Sequence, residues 1–260
     1  MSKRIFLDPG HGNYDSGALG KNGTKEKDIN LSVSLLIAKY LRIAGFEVGM
    51  SRDSDKISWP SNTNQDLFQR MQIANNFKPD AFISIHCNSA TNVNAKGFEL
   101  FTTPGRNNSD ILATKIHSKV KSAFPNLIYR EDWSDSDSDK EANFYVIRTS
   151  NAPATLIELL FISNLEEEKM LNDINFQDKM AFVIAQGIGD YFGIKVEKNE
   201  IPEIKLTINN KETTVPIRLV DGRIQTQVSG YWINVRDLSN MLGTELQWDS
   251  INKIANLVIK

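Results

Sequence analysis

The chain has 260 residues, 40% hydrophobic and 24% charged, the balance of one large globular domain or of a medium domain with a small companion. A formal net charge of −2 gives no global attraction to nucleic acid or acidic membranes, and a single cysteine excludes an internal disulfide. Near the start only Ile5 to Leu7 is apolar, too short for a secretory signal, and no apolar run is long enough to span a bilayer, so synthesis in the cytosol is the expectation.

Arg4-Ile5-Phe6-Leu7 reads as a short buried strand that runs into Asp8-Pro9-Gly10-His11-Gly12, a turn in which two glycines bracket a histidine. After Glu26-Lys27-Asp28, apolar residues from Ile29 to Leu41 recur at helical spacing until Gly45, and Phe46 to Met50 reads as a second strand. A polar loop through Trp59-Pro60 leads to a predicted helix over about Leu67 to Phe77. Ala81 to Ile85 is a nearly continuous apolar strand ending at His86-Cys87-Asn88-Ser89, as suits a strand covered on both faces. Gly97 to Phe101 is predicted as a strand, Asp110 to Ala123 as a helix, and Tyr129 to Glu141 as an acidic, solvated loop. Phe144 to Ile147 and Ala154 to Leu160 are predicted strands, followed by helices beginning at Leu165 and spanning about Phe176 to Phe192. This alternation implies an α/β domain over 1–194, a twisted, mainly parallel sheet flanked by helices. Residues 195–203 (KVEKNEIPE) read as a linker, and 204–260 as a small β-rich accessory domain with one helix at Val235 to Leu242.

The candidate chemistry lies in scattered residues. His11 and His86 each follow a predicted strand, and in a parallel sheet such strand ends share one edge. Glu26 opens the first helix, which begins near that same edge. Two imidazoles and a carboxylate with a position left for water form the ligand set of hydrolytic zinc sites. Glu158, placed after the apolar run Ala154 to Ile157, is the candidate general base, its pKa raised by burial. His117 is expected on the surface, and Cys87 as a packing residue on the opposite face of its strand from His86. Asp135-Ser136-Asp137-Ser138-Asp139 resembles the opening of a calcium loop, but Lys140 stands where glycine is wanted and Val146 where a bidentate glutamate is expected, which rejects an EF-hand.

LDPGHGNYDSGA, EKDINLS, SIHCNSA, NFYVIR and LIELLFISNLEEE, in order from Ile5 to about Gly193, resemble the zinc-dependent N-acetylmuramoyl-L-alanine amidases of the Amidase_3 type. The resemblance implies zinc held by His11, Glu26 and His86, with Glu158 catalytic, and cleavage of the amide between muramic acid and L-alanine in peptidoglycan. Leu160 stands where that family often has glycine, and the acidic stretch Glu131 to Lys140 is longer than expected. The tail, GRI followed by WINVRDLSNMLGTELQWD, is similar to the small domain named for the copper amine oxidase N-terminus, without implying copper. It is expected to bind a cell-wall polymer. The alternatives are a zinc peptidase or deacetylase acting on the wall, or a catalytically silent wall-binding protein. No partner among nucleic acids and no membrane insertion is expected. Lacking a signal, the chain is expected to reach the wall after release, as a phage lysin through membrane holes or by mother-cell lysis.

Overall fold

A computed structural model describes residues 2–57, 59 and 63–198, and beyond them the strand segments of residues 203–259. The chain divides into two compact units, Met1–Glu197 and Lys198–Lys260. In the first, the elements are β1 (Arg4–Pro9), α1 (Glu26–Ile43), β2 (Glu47–Met50), α2 (Thr63–Phe77), β3 (Ala81–Asn88), β4 (Glu99–Thr102), α3 (Asn108–Ala123), β5 (Lys140–Glu141), α4 (Tyr145–Arg148), β6 (Ala154–Phe161), α5 (Leu165–Leu171) and α6 (Ile174–Phe192). The sheet order is β2-β1-β3-β6-β4-β5. β1 pairs in parallel with β2 and β3, and β3 with β6, while β4 runs antiparallel to β6. This is the mainly parallel α/β sheet expected from the sequence.

Strand alternation divides the residues between two faces. Ile5, Leu7, Ile83, Ile85 and Ile157 point into the larger core, which Ile29, Val33 and Ile37 of α1, Leu112 and Ile116 of α3, and Ile184 and Ile188 of α6 complete. Phe6, Phe82 and Leu156 point the other way, into a smaller core closed by Met71 and Ala74 of α2 and by Val146 and Ile147 of α4. Further along those same strands, this second face turns polar, with Asp8, Ser84, His86, Glu158 and Glu99.

Local signals fix the helix ends. Asn107 caps α3 in a reciprocal box with Asp110, Asn164 caps α5, and Asp173 caps α6, which Gly193 ends at φ +70°. Glu26 and Asp28 place negative charge in the first turn of α1, whose N-cap is Lys25, without a side-chain hydrogen bond.

Three local expectations change. Phe144 to Ile147 is not a strand: Phe144 precedes the single turn α4, whose Val146 and Ile147 pack under α2, an apolar run too short for periodicity to settle. His117 is not on the surface but buried, its ring edge-on to Tyr129 and its Nε2 3.0 Å from Glu131 Oε1. Both β3 and β6 extend beyond His86 and Glu158, so these two residues lie within their strands, short of the strand ends.

The second unit holds β7 (Glu203–Ile208), β8 (Lys211–Val220), β9 (Arg223–Val228), β10 (Tyr231–Asn234), β11 (Thr244–Asp249) and β12 (Ile254–Ile259) in the order β10-β9-β8-β7-β12-β11. Only the β7–β12 pair is parallel among the described strands. The helix expected at Val235 to Leu242 lies outside the described residues. Among the described residues no helix is long and apolar enough to cross a membrane.

Candidate metal centre

β1 delivers His11 through a turn that the backbone enters at unusual angles. His11 itself has φ +61° and Gly12 φ +138°. A left-handed histidine persists only where its surroundings over-determine it. Two buried guanidinium groups provide that. Arg52 donates Nε to Pro9 O (3.1 Å) and Nη2 to Gly10 O (2.9 Å) and to Lys27 O (2.8 Å). Arg70 donates Nη1 to Pro9 O (2.8 Å) and Nη2 to His11 O (2.6 Å). The carbonyls of Pro9, Gly10 and His11 are therefore all anchored by side chains from other elements. Arg70 is in turn held by Asp8 Oδ1 (2.9 Å) and Asp66 Oδ2 (2.8 Å), deep in the protein. Burial alone would raise the Asp8 pKa, but the Arg70 charge and hydrogen bonds from Ser51 and Arg70 hold it below the usual carboxylate range.

The structure brings His11, Glu26 and His86 together. One ligand atom from each lies within 4.8 Å of the other two, and among the described residues this is the group of three His, Cys, Asp or Glu side chains so placed. Glu26 Oε1 is 3.2 Å from His11 Nε2 and 3.0 Å from His86 Nδ1. Zn–N and Zn–O bonds of 2.0–2.2 Å in a tetrahedron separate neighbouring ligand atoms by about 3.3–3.5 Å, so the donors fit zinc in kind and in spacing. Asp15 Oδ2 sits 2.7 Å from His11 Nδ1, fixing the ring so that Nε2 faces the other two candidate donors. Glu26 is held by N–H groups of Cys87 (3.0 Å) and Ala18 (2.8 Å) and by Asn30 Nδ2 (3.3 Å). Burial works against charge at both residues. At Glu26 the two histidines outweigh it and lower the pKa, and at His11 the Glu26 and Asp15 carboxylates raise the pKa to about 9. Gly10 is required by space: a Cβ there would lie 2.2 Å from His86 Cε1.

Glu158 is the direct neighbour of His86 across the parallel β3–β6 pair and of Glu99 across the antiparallel β4–β6 pair. His86, Glu158 and Glu99 thus form a row on the polar part of the smaller face. Glu158 Oε2 is buried with no hydrogen-bond partner among the described residues. Burial raises the Glu158 pKa well above its usual value, the charges of Glu26 and Glu99 add to this, and His11 opposes it. Glu99, by contrast, is satisfied by Arg130, Lys140 and Asn88. Cys87 is buried, as expected of a packing residue, and its main-chain N–H also serves Glu26.

Sequence reasoning missed Asp15, Arg52, Arg70 and Glu99. Asp15 alone carried a local signal, a carboxylate four residues after a candidate ligand.

The Amidase_3 profile, described as N-acetylmuramoyl-L-alanine amidase, matches residues 5–190. The germination-specific N-acetylmuramoyl-L-alanine amidase of Bacillus subtilis (strain 168) is 31% identical over 77% of this chain and 83% of its own length. The endolysin of Bacillus phage SPP1 is 35% identical over 75% of this chain and 68% of its own. The CwlD amidase of Clostridioides difficile, solved in complex with the GerS lipoprotein, superposes with a TM-score of 0.66 at 31% identity, over 74% of this chain and 99% of that one. A profile spanning most of the chain, together with relatives matched over most of their own lengths, makes this chain a member of the Amidase_3 family of N-acetylmuramoyl-L-alanine amidases.

Proposed function

We propose that the chain hydrolyses the amide between the lactyl group of N-acetylmuramic acid and L-alanine in peptidoglycan, using a zinc ion held by His11, Glu26 and His86 and Glu158 as general base. The observation that carries this is the convergence of three donors within 4.8 Å beside a carboxylate whose Oε2 is buried and unpartnered. Bound there, zinc supplies Lewis acidity, polarising the scissile carbonyl and letting water ionise near neutral pH. Glu158 takes the proton of the attacking water and returns it to the leaving amine of L-alanine. Its raised pKa suits that traffic, because a carboxylate too acidic would not hold the proton between the two steps. With a divalent ion held there, Glu158 would be drawn back towards ionisation, ready to accept. Asp15 orients His11, and Arg52 and Arg70 hold the turn that carries it.

The residues 204–260 are proposed to tether the enzyme to a cell-wall polymer, and the catalytic unit to act on the wall after release from the cell that made it. A zinc peptidase or deacetylase of the wall would use the same donor set, and the termini released from purified peptidoglycan separate these readings. Newly freed L-alanine amino groups support the amidase. Glu158→Gln is expected to retain zinc and lose about 10²–10⁴-fold in turnover, the range for a positioned acid–base group. Zinc-loaded Glu158→Gln turning over at the wild-type rate would sink the assignment of the base.

A further inference from the structure

The acidic stretch before β5 takes no part in the site just described, yet its end is folded inward. Ser138 is 4% exposed and Asp139 2%. Thr102 Oγ1 of β4 donates to Asp139 Oδ2 at 2.6 Å. The other oxygen, Asp139 Oδ1, is buried without a hydrogen-bond partner among the described residues, and so is Ser138 Oγ. The Asp137 carboxyl, two residues before, is close enough for its negative charge to raise the Asp139 pKa. Asp110, buried in the first turn of α3, adds a third negative charge to their surroundings.

The nearby cations are turned elsewhere. Lys140 Nζ binds Glu99, and Arg106 Nη2 donates to the main-chain oxygen of Asp135. Among the described residues none of Asp110, Asp137 and Asp139 forms an ion pair with Lys, Arg or His. Two neighbouring carboxyl groups in a partly dry place must share a proton or be bridged by a cation. Burial first, then the charges of Asp137 and Asp110, raise Asp139 to about 7, with the Thr102 hydrogen bond opposing, so above that pH the pair carries negative charge that a cation would offset. An oxygen-only donor set with two carboxylates and a hydroxyl selects a hard ion, and calcium tolerates the irregular shell that main-chain oxygens and water would complete.

We propose that Asp137, Ser138 and Asp139 form a calcium-binding site separate from the catalytic centre. With two carboxylates it belongs to the weak range of about 10⁻⁴–10⁻³ M typical of extracellular modules. Its location gives it leverage. Asp139 is tied to β4 through Thr102, and the next residue, Lys140, holds Glu99, the cross-strand neighbour of Glu158. Calcium would fasten this rim of the sheet beside the reacting groups.

The test uses the full, zinc-loaded chain at about pH 8, where the Asp139 carboxyl is mostly ionised, without chelator. Thermal unfolding is followed in calcium chloride, magnesium chloride and sodium chloride at matched ionic strength. Calcium at about ten times its dissociation constant is expected to raise Tm by about 2–5 °C, magnesium by less, and sodium not at all. Terbium luminescence sensitised by tryptophan, with Trp133 in the same loop, should saturate and be displaced by calcium. Asp139→Asn should abolish both responses while keeping full zinc content. Its calcium-free Tm should equal or exceed that of the wild type, because the new amide can donate to Asp137. A wild type that shows no calcium-specific shift overturns the proposal, leaving a proton-sharing pair. An unchanged shift in both Asp137→Asn and Asp139→Asn overturns it equally, by placing the ion elsewhere.

Discussion

Asp15 offers the sharpest test of how the proposed metal centre is built, since it contacts the proposed ligand His11 without being one. Its Oδ2 is 2.7 Å from His11 Nδ1, and its Oδ1 accepts the Gly17 N–H at 2.9 Å, so one carboxylate orients the ring and braces the following turn. Removing the carboxylate behind a ligating histidine costs about 10–100-fold in metal affinity, or about 1.4–2.7 kcal/mol. The Asp15 side chain is 43% exposed, so solvent screens part of its charge and the lower half of that range applies. Asp15→Ala is therefore expected to weaken zinc binding by about 10–30-fold, and Asp15→Asn, whose amide oxygen still accepts from Nδ1–H, by about 3–10-fold. Competition against a fluorescent zinc chelator measures both, with circular dichroism confirming the fold. A folded Asp15→Ala variant binding zinc within about twofold of wild type would refute the argument that His11 is oriented from behind.

Two other perturbations probe the frame around the ligands. Gly10→Ala puts a Cβ 2.2 Å from His86 Cε1, and that ring cannot retreat without leaving Glu26; zinc content well below one per chain and a stability loss of about 1–3 kcal/mol are expected, by elemental analysis and urea unfolding. Asp8→Asn leaves Arg70 without its buried counter-charge and should cost about 3–5 kcal/mol at pH 7. Because the folded pKa of Asp8 lies below its unfolded value of about 3.9, its contribution is present above that pH and fades as the pH falls through the folded value. Urea midpoints of wild type and variant should therefore converge in acid, and a gap as wide at pH 3 as at pH 7 would contradict the ion pair's role.

The sequence was most informative where chemistry and chain direction coincide. His11 follows the strand β1, His86 ends a long apolar run, and Glu26 opens the next helix, so the rule that parallel strand ends share an edge was enough to gather them. Glu158 stood out because an ionisable group inside LIELL has no cheap burial. What stayed hidden depends on distant segments meeting. Arg52 follows β2 and Arg70 lies within α2, and nothing near either in sequence distinguishes a clamp on three carbonyls from an ordinary surface charge. His117 shows the same limit, with flanking lysines that suggested solvent while Glu131 and Tyr129, supplied by the next loop, cover it. The turn α4 was lost for a different reason, since four apolar-rich residues fit a strand and a helix alike.

The guanidinium clamp on Pro9, Gly10 and His11 bears on how the enzyme comes to be armed. The mould is cast by arginines already locked in place, so the proposed zinc would enter a finished socket instead of gathering loose arms around itself.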